Sequence, residues 1–402
     1  MPLSILLFPC SFQPPPSNPV VLIGLYNTTT YKGHPAETAS YASPSVLSYT
    51  LDLESGTLKQ LGPPVAAGLN VSWIAPHPTR RDLLYAISEV SEFDGDNTTG
   101  SVATLSFDRA TGSCSVLGRA STHGAGPVFA TTDATGHWLM VSSYVGGNLA
   151  VLPIGADGAV GKAAADVEFQ GAGSHSVYVD PSSNRFVLAP VLGLDKVDLW
   201  SLSAKDGRLT PNPAASQLAL PAGFGPRHLA FSPTDPSVVL LADEGGAATP
   251  SRVTLCRFNR TSGVLAAVRT LSTLAEGADP TALFPAEVVF APDGRFAYVS
   301  VRDATDAKRD AIAIFRVAPA PSVAAATDAR SAKAPAIQRI GAVPTGHYPR
   351  SMALDPSGRV LVVANQKGAS VATYTRDAST GLLTPAAHEL PMPDSPGFVV
   401  IL

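Results

Sequence analysis

The stretch YPRSMALDPSGRVLVVANQ, residues 348–366, has the pattern of two β-strands joined by a tight turn. Its centre, Asp-Pro-Ser-Gly, is typical of turns, and the VLVVA that follows is typical of a buried strand. The two ends are polar, because Arg350 begins the first strand and Gln366 closes the second. The strands of a hairpin are antiparallel, so we expect these polar groups to lie side by side at the end opposite the turn.

The same hairpin recurs along the chain. The other copies are NVSWIAPHPTRRDLLYAISE from Asn70, GPVFATTDATGHWLMVSSY from Gly126, SHSVYVDPSSNRFVLAPVL from Ser174, GPRHLAFSPTDPSVVLLADE from Gly225 and FPAEVVFAPDGRFAYVSVRD from Phe284. Each copy is followed by a second strand–turn–strand unit, such as VATLSFDRATGSCSVLG. The repeat therefore has four strands and a period of about 50–60 residues, the range of propeller blades.

A four-stranded repeat cannot bury both of its faces alone, and radial stacking of such repeats gives a β-propeller. We therefore predict an all-β, seven-bladed β-propeller with four-stranded antiparallel blades, a single domain that uses residues 1–402. A β-sandwich with separate domains would not explain the even repeat.

The two ends of the chain are expected to close the ring. Only six inner hairpins are visible, so we expect the seventh from the N-terminal segments LSILLFP and PVVLIGLYN. The C-terminal GFVVIL has the pattern of a strand that completes a blade and hides an edge. The Ala/Pro-rich run at 317–336 lacks strand periodicity and is expected to be a mobile surface loop.

Composition excludes several classes of function. The 402 residues are 45% hydrophobic and carry a formal net charge of −4, so the chain offers no basic field for nucleic acid. Cys10, Cys114 and Cys256 are scattered without metal-ligand spacing, and their odd number argues against a disulfide framework. No apolar run reaches about 18 residues, and the first residues lack a basic start. We therefore expect a cytoplasmic protein with no membrane or nucleic-acid partner.

Ionisable residues gather at the end of the hairpins opposite the turn. The first strands begin with Ser72, Val128, His175, Arg227, Ala286 and Arg350, and the next positions include His228 and Glu287. The second strands close on Glu89, Tyr144, Val191, Glu244, Arg302 and Gln366. Charges near a propeller axis are costly unless they are paired or used, so this ring is a candidate pocket. The structural alternative is that these residues only tie the blades together by hydrogen bonds.

At these residues the chain resembles the lactonase family of seven-bladed propellers. This family includes a bacterial type of 6-phosphogluconolactonase and the fungal 3-carboxy-cis,cis-muconate lactonizing enzyme. The similar stretches are SHSVYVDPSSNRFVLAPVLGLDKV, GPRHLAFSP with LADE, AEVVFAPDGRFAYVSVRD, TGHYPRSMALDPSGRVLVVANQ and the early YNTTTYKG, so the resemblance spans nearly the full length. Two departures concern the substrate. GPVFAT stands where the family often has Pro-Cys-His, and SVRD lacks the usual Asn before Arg.

The resemblance implies roles for the ring residues. Catalytic roles are implied for His175, Arg227, Glu244 and Arg302. Substrate-binding roles are expected for Glu287, Arg350, Gln366, Glu89, Tyr144 and His228. Hydrolysis of a lactone needs a base that activates water, which we assign to Glu244 or His175. Arg227 and Arg302 would bind an anionic substrate group and stabilise the developing oxyanion.

These roles predict a lactone hydrolase that needs no metal or cofactor and acts on a small anionic sugar lactone, as 6-phosphogluconolactonase does. The GLDKV run favours hydrolysis. The same residues would also serve a carboxymuconate cyclase, an intramolecular lyase with a muconate-type substrate, so this alternative stays open. Two further alternatives are a non-catalytic interaction platform and a calcium-dependent lactonase of another propeller family.

Overall fold

The computed structural model describes residues 18–27, 40–169, 173–246, 249, 251–305, 308–318, 336–387 and 389–402. Within these ranges the chain forms thirty β-strands in seven antiparallel sheets, with one 3-10 turn at Leu192–Leu194. This confirms the predicted all-β, seven-bladed propeller.

The strands are numbered in chain order. The terminal blade, which joins the two ends of the chain, comprises β1 (Val20–Tyr26), β2 (Val46–Leu51), β3 (Leu58–Gln60) and β30 (Ser395–Ile401). Blade 1 comprises β4 (Val71–Pro76), β5 (Leu83–Ser88), β6 (Ser101–Phe107) and β7 (Cys114–Ser121). Blade 2 comprises β8 (Pro127–Thr132), β9 (Trp138–Ser143), β10 (Asn148–Pro153) and β11 (Ala165–Glu168).

Two of the remaining blades divide the outer strand position between two short strands. Blade 3 comprises β12 (Tyr178–Val179), β13 (Phe186–Val191), β14 (Lys196–Leu202), β15 (Leu209–Pro211) and β16 (Gln217–Ala219). Blade 4 comprises β17 (Pro226–Phe231), β18 (Val238–Asp243), β19 (Arg252–Phe258) and β20 (Leu265–Ser272). Blade 5 comprises β21 (Leu283–Phe290), β22 (Phe296–Asp303), β23 (Ala311–Ala318) and β24 (Ala336–Pro344). Blade 6 comprises β25 (Pro349–Leu354), β26 (Val360–Asn365), β27 (Ser370–Arg376), β28 (Leu383–Pro385) and β29 (Leu390–Pro391).

The terminal blade confirms that the two ends of the chain close the ring, but its innermost strand differs from the predicted one. Its strand order is β3-β2-β1-β30, so the innermost strand comes from the C-terminal segment and PVVLIGLYN supplies the second strand. β30 pairs with β1, with Leu22 opposite Val400, and also contacts the inner strands β25 and β4 of the two neighbouring blades. The LSILLFP segment lies outside the described residues.

The two ends of the predicted loop at 317–336 are strand residues instead. β23 continues to Ala318 and β24 begins at Ala336, because these flanks pair with each other as the ends of a long hairpin. The residues between them lie outside the described part of the chain.

The hydrophobic core lies between neighbouring blades. Leu240 of blade 4 packs in one cluster with Val299 of blade 5, and Leu188 of blade 3 packs in another with Leu241 of blade 4. Because both faces of the inner strands are covered, they are apolar over most of their length rather than alternating, as β26 shows with all six residues buried.

A buried aspartate fixes the turn of the inner hairpins. Asp355, the Asp of the Asp-Pro-Ser-Gly turn, is 1% exposed, and its Oδ1 accepts hydrogen bonds from the N–H groups of Arg359 and Val360, both at 2.6 Å. Asp133 binds the N–H groups of His137 and Trp138 in the same way. A buried carboxylate that accepts turn N–H groups is satisfied, which explains why this residue type recurs in the repeat.

Candidate active site

A β-bulge at the start of the inner strands turns side chains out of the sheet ladder. In blade 4 the pairing shifts between Pro226 and His228, and in blade 6 it shifts between Pro349 and Ser351. Arg227 and Arg350 are therefore the extra residues of two equivalent bulges. A bulged residue is left unpaired and its side chain is re-aimed, which is how both guanidiniums leave the blade face.

The residue two positions before the bulge has a left-handed backbone. Its carbonyl binds the residue that follows the second strand. These residues are Asn70, Gly126, Gly225 and Tyr348, with φ of 49°, 57°, 56° and 64°. Their carbonyls accept the N–H groups of Glu89, Tyr144, Glu244 and Gln366 at 2.8–2.9 Å. Four predicted residues thus occupy equivalent positions at one end of four blades.

Arg302 reaches the same end from the equivalent position of blade 5. Pro285 pairs with Val301 at the bulge as Pro226 pairs with Asp243, so Arg302 follows this pair as Glu244 does in blade 4. In blade 5 the ladder continues beyond this point, and the N–H of Ala304 donates to the carbonyl of Ala282.

Glu244 lies between two buried guanidiniums. Its Oε2 is 3.0 Å from Arg227 Nε and 2.8 Å from Arg302 Nη2, and both arginine side chains are 2–3% exposed. Arg227 also donates from Nη1 to the carbonyl of Ala286 in the next blade, at 2.6 Å. Burial alone would raise the pKa of Glu244, but the charges of Arg302 and Arg227 outweigh it and hold this pKa below its ordinary value.

Glu89 of blade 1 forms a second ion pair, with Arg350 of blade 6, and also binds Tyr26 of the terminal blade. Its Oε2 accepts a short hydrogen bond from the hydroxyl of Tyr26 and lies 3.4 Å from Arg350 Nη2. The guanidinium of Arg350 also lies over the ring of Tyr26, 5.2 Å from its centroid. Burial raises the pKa of Glu89, whereas Arg350 and the Tyr26 hydroxyl only partly oppose this.

His228 and Glu287 form a third pair against an aromatic wall. His228 Nδ1 lies 3.0 Å from Glu287 Oε1, and both side chains are buried. The rings of Trp73 and Phe129 meet the His228 ring edge-on at 5.6 and 5.4 Å. Burial lowers the pKa of His228 to about 4, although Glu287 opposes the effect, so this imidazole is neutral near pH 7.

His175 is a buried imidazole with an unused nitrogen. It is 6% exposed, and its ring contacts those of Tyr144 at 5.6 Å and His228 at 5.1 Å. Its Nδ1 has no hydrogen-bond partner among the described residues. Burial and the positive charge of Arg227 hold the pKa of His175 well below its ordinary value of 6.5. The side chain is therefore a neutral imidazole with a buried Nδ1 that binds no described residue.

Sequence reasoning missed two tyrosines of this site. Tyr26 binds Glu89, and the ring of Tyr348 lies under the guanidinium of Arg302 at 5.0 Å. Tyr348 aligns with Gly126 and Gly225 of other copies, and that alignment was the available signal. Gln366 is 3% exposed and is held through its backbone N–H to Tyr348.

Other features bear on the remaining expectations. In the described part of the chain, no group of three or more His, Cys, Asp and Glu side chains is arranged to hold a metal ion. The described cysteines, Cys114 and Cys256, are unpaired. No helix among the described residues is long and apolar enough to span a bilayer.

A propeller whose blades bring guanidinium, carboxylate and neutral imidazole groups to one end has the features of an enzyme-type propeller rather than a purely structural one. The model of the family described as Lactonase, 7-bladed beta-propeller matches residues 25–401. The chain therefore belongs to this lactonase family, as its resemblance implied.

Curated relatives and a solved structure agree with this assignment. The chain is 33% identical over 262 residues to the 6-phosphogluconolactonase of Pectobacterium carotovorum subsp. carotovorum, covering 65% of this chain and 70% of the relative. It is 26% identical over 376 residues to the 6-phosphogluconolactonase of Bacillus subtilis, covering 91% and 97%. The periplasmic gluconolactonase of Pseudomonas aeruginosa shares the fold, with a TM-score of 0.79 at 23% identity and coverage of 96% and 99%.

Proposed function

We propose that this protein is a metal-independent lactonase that hydrolyses an anionic sugar lactone of the 6-phosphogluconolactone type. The observation that carries the proposal is the neutral His175 imidazole, with an unpartnered Nδ1, in the field of buried guanidiniums. The curated relatives named above are 6-phosphogluconolactonases, which supports this substrate class over others.

His175 is a better candidate for the base than Glu244. Glu244 already binds Arg227 and Arg302, which lower its pKa and so reduce its basicity. His175 has no such partner, and its lowered pKa keeps it unprotonated near pH 7. A base must be in its unprotonated form and have a free lone pair to accept a proton. We therefore assign proton transfer to His175 and the positioning of the two guanidiniums to Glu244.

The proposed reaction begins when the neutral imidazole of His175 accepts a proton from a water molecule. The resulting hydroxide adds to the lactone carbonyl carbon, and the carbonyl oxygen becomes an oxyanion. When the tetrahedral intermediate collapses, the C–O bond of the ring breaks and the carboxylic acid forms. The protonated His175 then returns the proton to the departing alkoxide, which restores the neutral imidazole.

Arg227 and Arg302 supply the electrostatic part of this mechanism. Both guanidiniums are buried, and Glu244 fixes both of them from one carboxylate oxygen. Each has five N–H donors, more than the contacts described above occupy, so donors remain for an oxyanion. Preorganised donors in a buried site stabilise developing negative charge more than water does. Arg350 and Glu287 would support the pocket, with Glu89, Tyr144, Gln366 and His228 completing its lining.

Hydrolysis is proposed in preference to cyclization or a platform role. The same residues would orient a muconate carboxylate, but no relative reported above is named for that reaction. The structural alternative is that the ring residues only tie the blades together by hydrogen bonds. It holds in part for Arg227, which binds Ala286 of the next blade. It does not account for the Nδ1 of His175, which forms no hydrogen bond to another described residue.

The test is turnover of 6-phosphogluconolactone by the purified protein and by His175→Phe, with spontaneous hydrolysis subtracted and with chelator in a parallel series. Phenylalanine keeps the ring contacts of His175, so the variant should retain its melting temperature. Loss of the base should lower kcat by roughly 10²–10⁴-fold. A fully active His175→Phe would contradict the assignment, and loss of wild-type activity on chelation would overturn metal independence. Turnover of 3-carboxymuconate alone would favour the cyclase.

A further inference from the structure

One cation beside the site has no carboxylate partner. Lys367 lies in the turn between β26 and β27, directly after Gln366, and is half-buried. The arginines of the site are all paired, because Arg227 and Arg302 bind Glu244 and Arg350 binds Glu89. Within the described ranges, Lys367 forms no ion pair or side-chain hydrogen bond, so its ammonium donors are available to a ligand.

The ring of Tyr348 joins Lys367 to the catalytic cluster. Lys367 Nζ lies 4.2 Å from the centroid of this ring, and Arg302 Cζ lies 5.0 Å from the same centroid. Arg302 in turn donates to Glu244 at 2.8 Å. The contacts therefore run from Glu244 through Arg302 and Tyr348 to Lys367, which places the ammonium group next to the reaction site but outside its ion pairs.

Tyr348 is an unusual residue for its backbone. Its φ of 64° is in the left-handed region, where the equivalent positions of other blades have Gly126, Gly225 and Asn70. Bulky residues adopt this conformation at a cost, and such strain is concentrated at functional sites. A glycine would satisfy the bulge equally well, so the feature that distinguishes Tyr348 is the ring that it places beneath Lys367.

The carboxylates of the site are engaged by other groups. Glu244 pairs with Arg227 and Arg302, Glu89 lies beside Arg350, and Glu287 lies beside His228. Asp310, which accepts the N–H of Tyr348, is paired with His347. Lys367 is therefore the cation of this group for which an anionic ligand would be the partner.

We propose that Lys367, held over the ring of Tyr348, binds the phosphate of a phosphorylated sugar lactone and makes the enzyme prefer it to the unphosphorylated sugar. A lysine ammonium is a compact point charge, which suits a phosphate monoester that can approach from several directions. This inference rests on the proposed lactonase function for the reacting group, whereas the anion site itself is independent of turnover.

The test measures binding of 6-phosphogluconate and gluconate by calorimetry, because both acids carry the same carboxylate and differ in the phosphate. The variant is Lys367→Met, which removes the charge but keeps the stem. The matched control is Lys59→Met, an exposed lysine of the outer strand β3. The wild type should bind 6-phosphogluconate more tightly, and Lys367→Met should reduce that preference roughly tenfold or more while gluconate binding is unchanged. Lys59→Met should behave as the wild type.

A second variant separates recognition from folding. Tyr348→Gly suits the left-handed backbone, so it should fold and yet lose part of the preference for 6-phosphogluconate. The proposal is overturned if Lys367→Met weakens both acids equally or neither, or if the wild type does not prefer the phosphorylated acid. If the preference responds to Lys367 but no lactone is hydrolysed, the phosphate site stands and the lactonase function fails. If lactone is hydrolysed and the preference does not respond, only the phosphate site fails.

Discussion

Glu244 is the carboxylate on which two buried guanidiniums depend. Arg227 Nε and Arg302 Nη2 both lie within 3.0 Å of its Oε2. Removing one member of a buried charge cluster leaves the others without compensation, which costs more than the pair contributes. A substitution at Glu244 is therefore expected to lower stability as well as activity, so it cannot separate a catalytic role from a structural one. A substitution at His175 can separate them, because the Nδ1 of His175 has no partner among the described residues.

We expect Glu244→Gln to lose both stability and activity. The neutral amide would leave two guanidiniums uncompensated, so the free energy of unfolding should fall by about 3–5 kcal/mol. Urea denaturation followed by circular dichroism measures this. Glu168→Gln, at an exposed position of β11, removes the same charge and should stay within about 0.5 kcal/mol of the wild type. Equal stability of the two variants would show that Glu244 does not hold the arginines.

The pH dependence of kcat/KM should report the lowered pKa of His175. Burial and Arg227 lower this pKa well below 6.5, so the unprotonated base persists as pH falls through 6.5. The profile should therefore be flat around pH 6.5 and decline only in more acidic buffer. Initial rates corrected for spontaneous hydrolysis at each pH give the profile. A limb centred near 6.5 would indicate a base with an ordinary environment.

The bulge and the left-handed residue before it bring the ring residues to one end of the propeller. Gly225 illustrates the constraint, since its φ is 56° and an added Cβ would lie 2.9 Å from the backbone nitrogen of Gly245. Its carbonyl also binds the N–H of Glu244, so distortion here would move the carboxylate that orders Arg227 and Arg302.

Gly225→Ala should therefore be destabilising and reduce activity. The alanine meets both a left-handed backbone and a backbone contact, so a loss of about 1–3 kcal/mol in the free energy of unfolding is expected. Gly118→Ala is the control, because nothing lies within 4 Å of its added Cβ and its φ is not in the left-handed region. Thermal denaturation compares the two. An unchanged Gly225→Ala would mean that the bulge adjusts freely.

The repeated hairpin was predictable because its turn and strands are determined by residues close together in the sequence. Asp355 and Asp133 mark the turns, and apolar runs mark the strands. The bulge was not predictable, because the register shift that leaves Arg227 unpaired depends on how the partner strand aligns with Pro226 and His228. The hairpin ends predicted Glu89 and Glu244 at one end of the propeller, but their partners Arg350 and Arg302 come from other blades.

Closure of the propeller is the feature of the whole molecule that the sequence predicts least accurately. Both PVVLIGLYN and GFVVIL have strand patterns, and which one lies innermost depends on long-range pairing that neither pattern encodes. Phe398 of β30 is 4% exposed, and its ring lies 4.3 Å from that of Trp73 in blade 1. The closing strand therefore also supports the aromatic wall behind His228.

Phe398→Ala should weaken this closure. A large cavity would form between the terminal blade and blade 1, lowering the free energy of unfolding by about 3–5 kcal/mol. Leu117→Ala, at a position that is 57% exposed in β7, should change it by no more than about 0.5 kcal/mol. Calorimetric melting of the two variants makes the comparison. If Phe398→Ala has the same melting temperature as the wild type, the contact between Phe398 and Trp73 does not stabilise the closure of the propeller by β30.

The position of β30 also has a consequence for biosynthesis. It is the last described strand in the chain, so β1 leaves the ribosome with an open edge and keeps it while all six intervening blades are translated. The junction between Tyr26, Glu89 and Arg350 joins early and late parts of the polypeptide. A nascent chain therefore cannot complete its ring before β30 has been translated, and until then the exposed edge of β1 is a segment that a chaperone could protect.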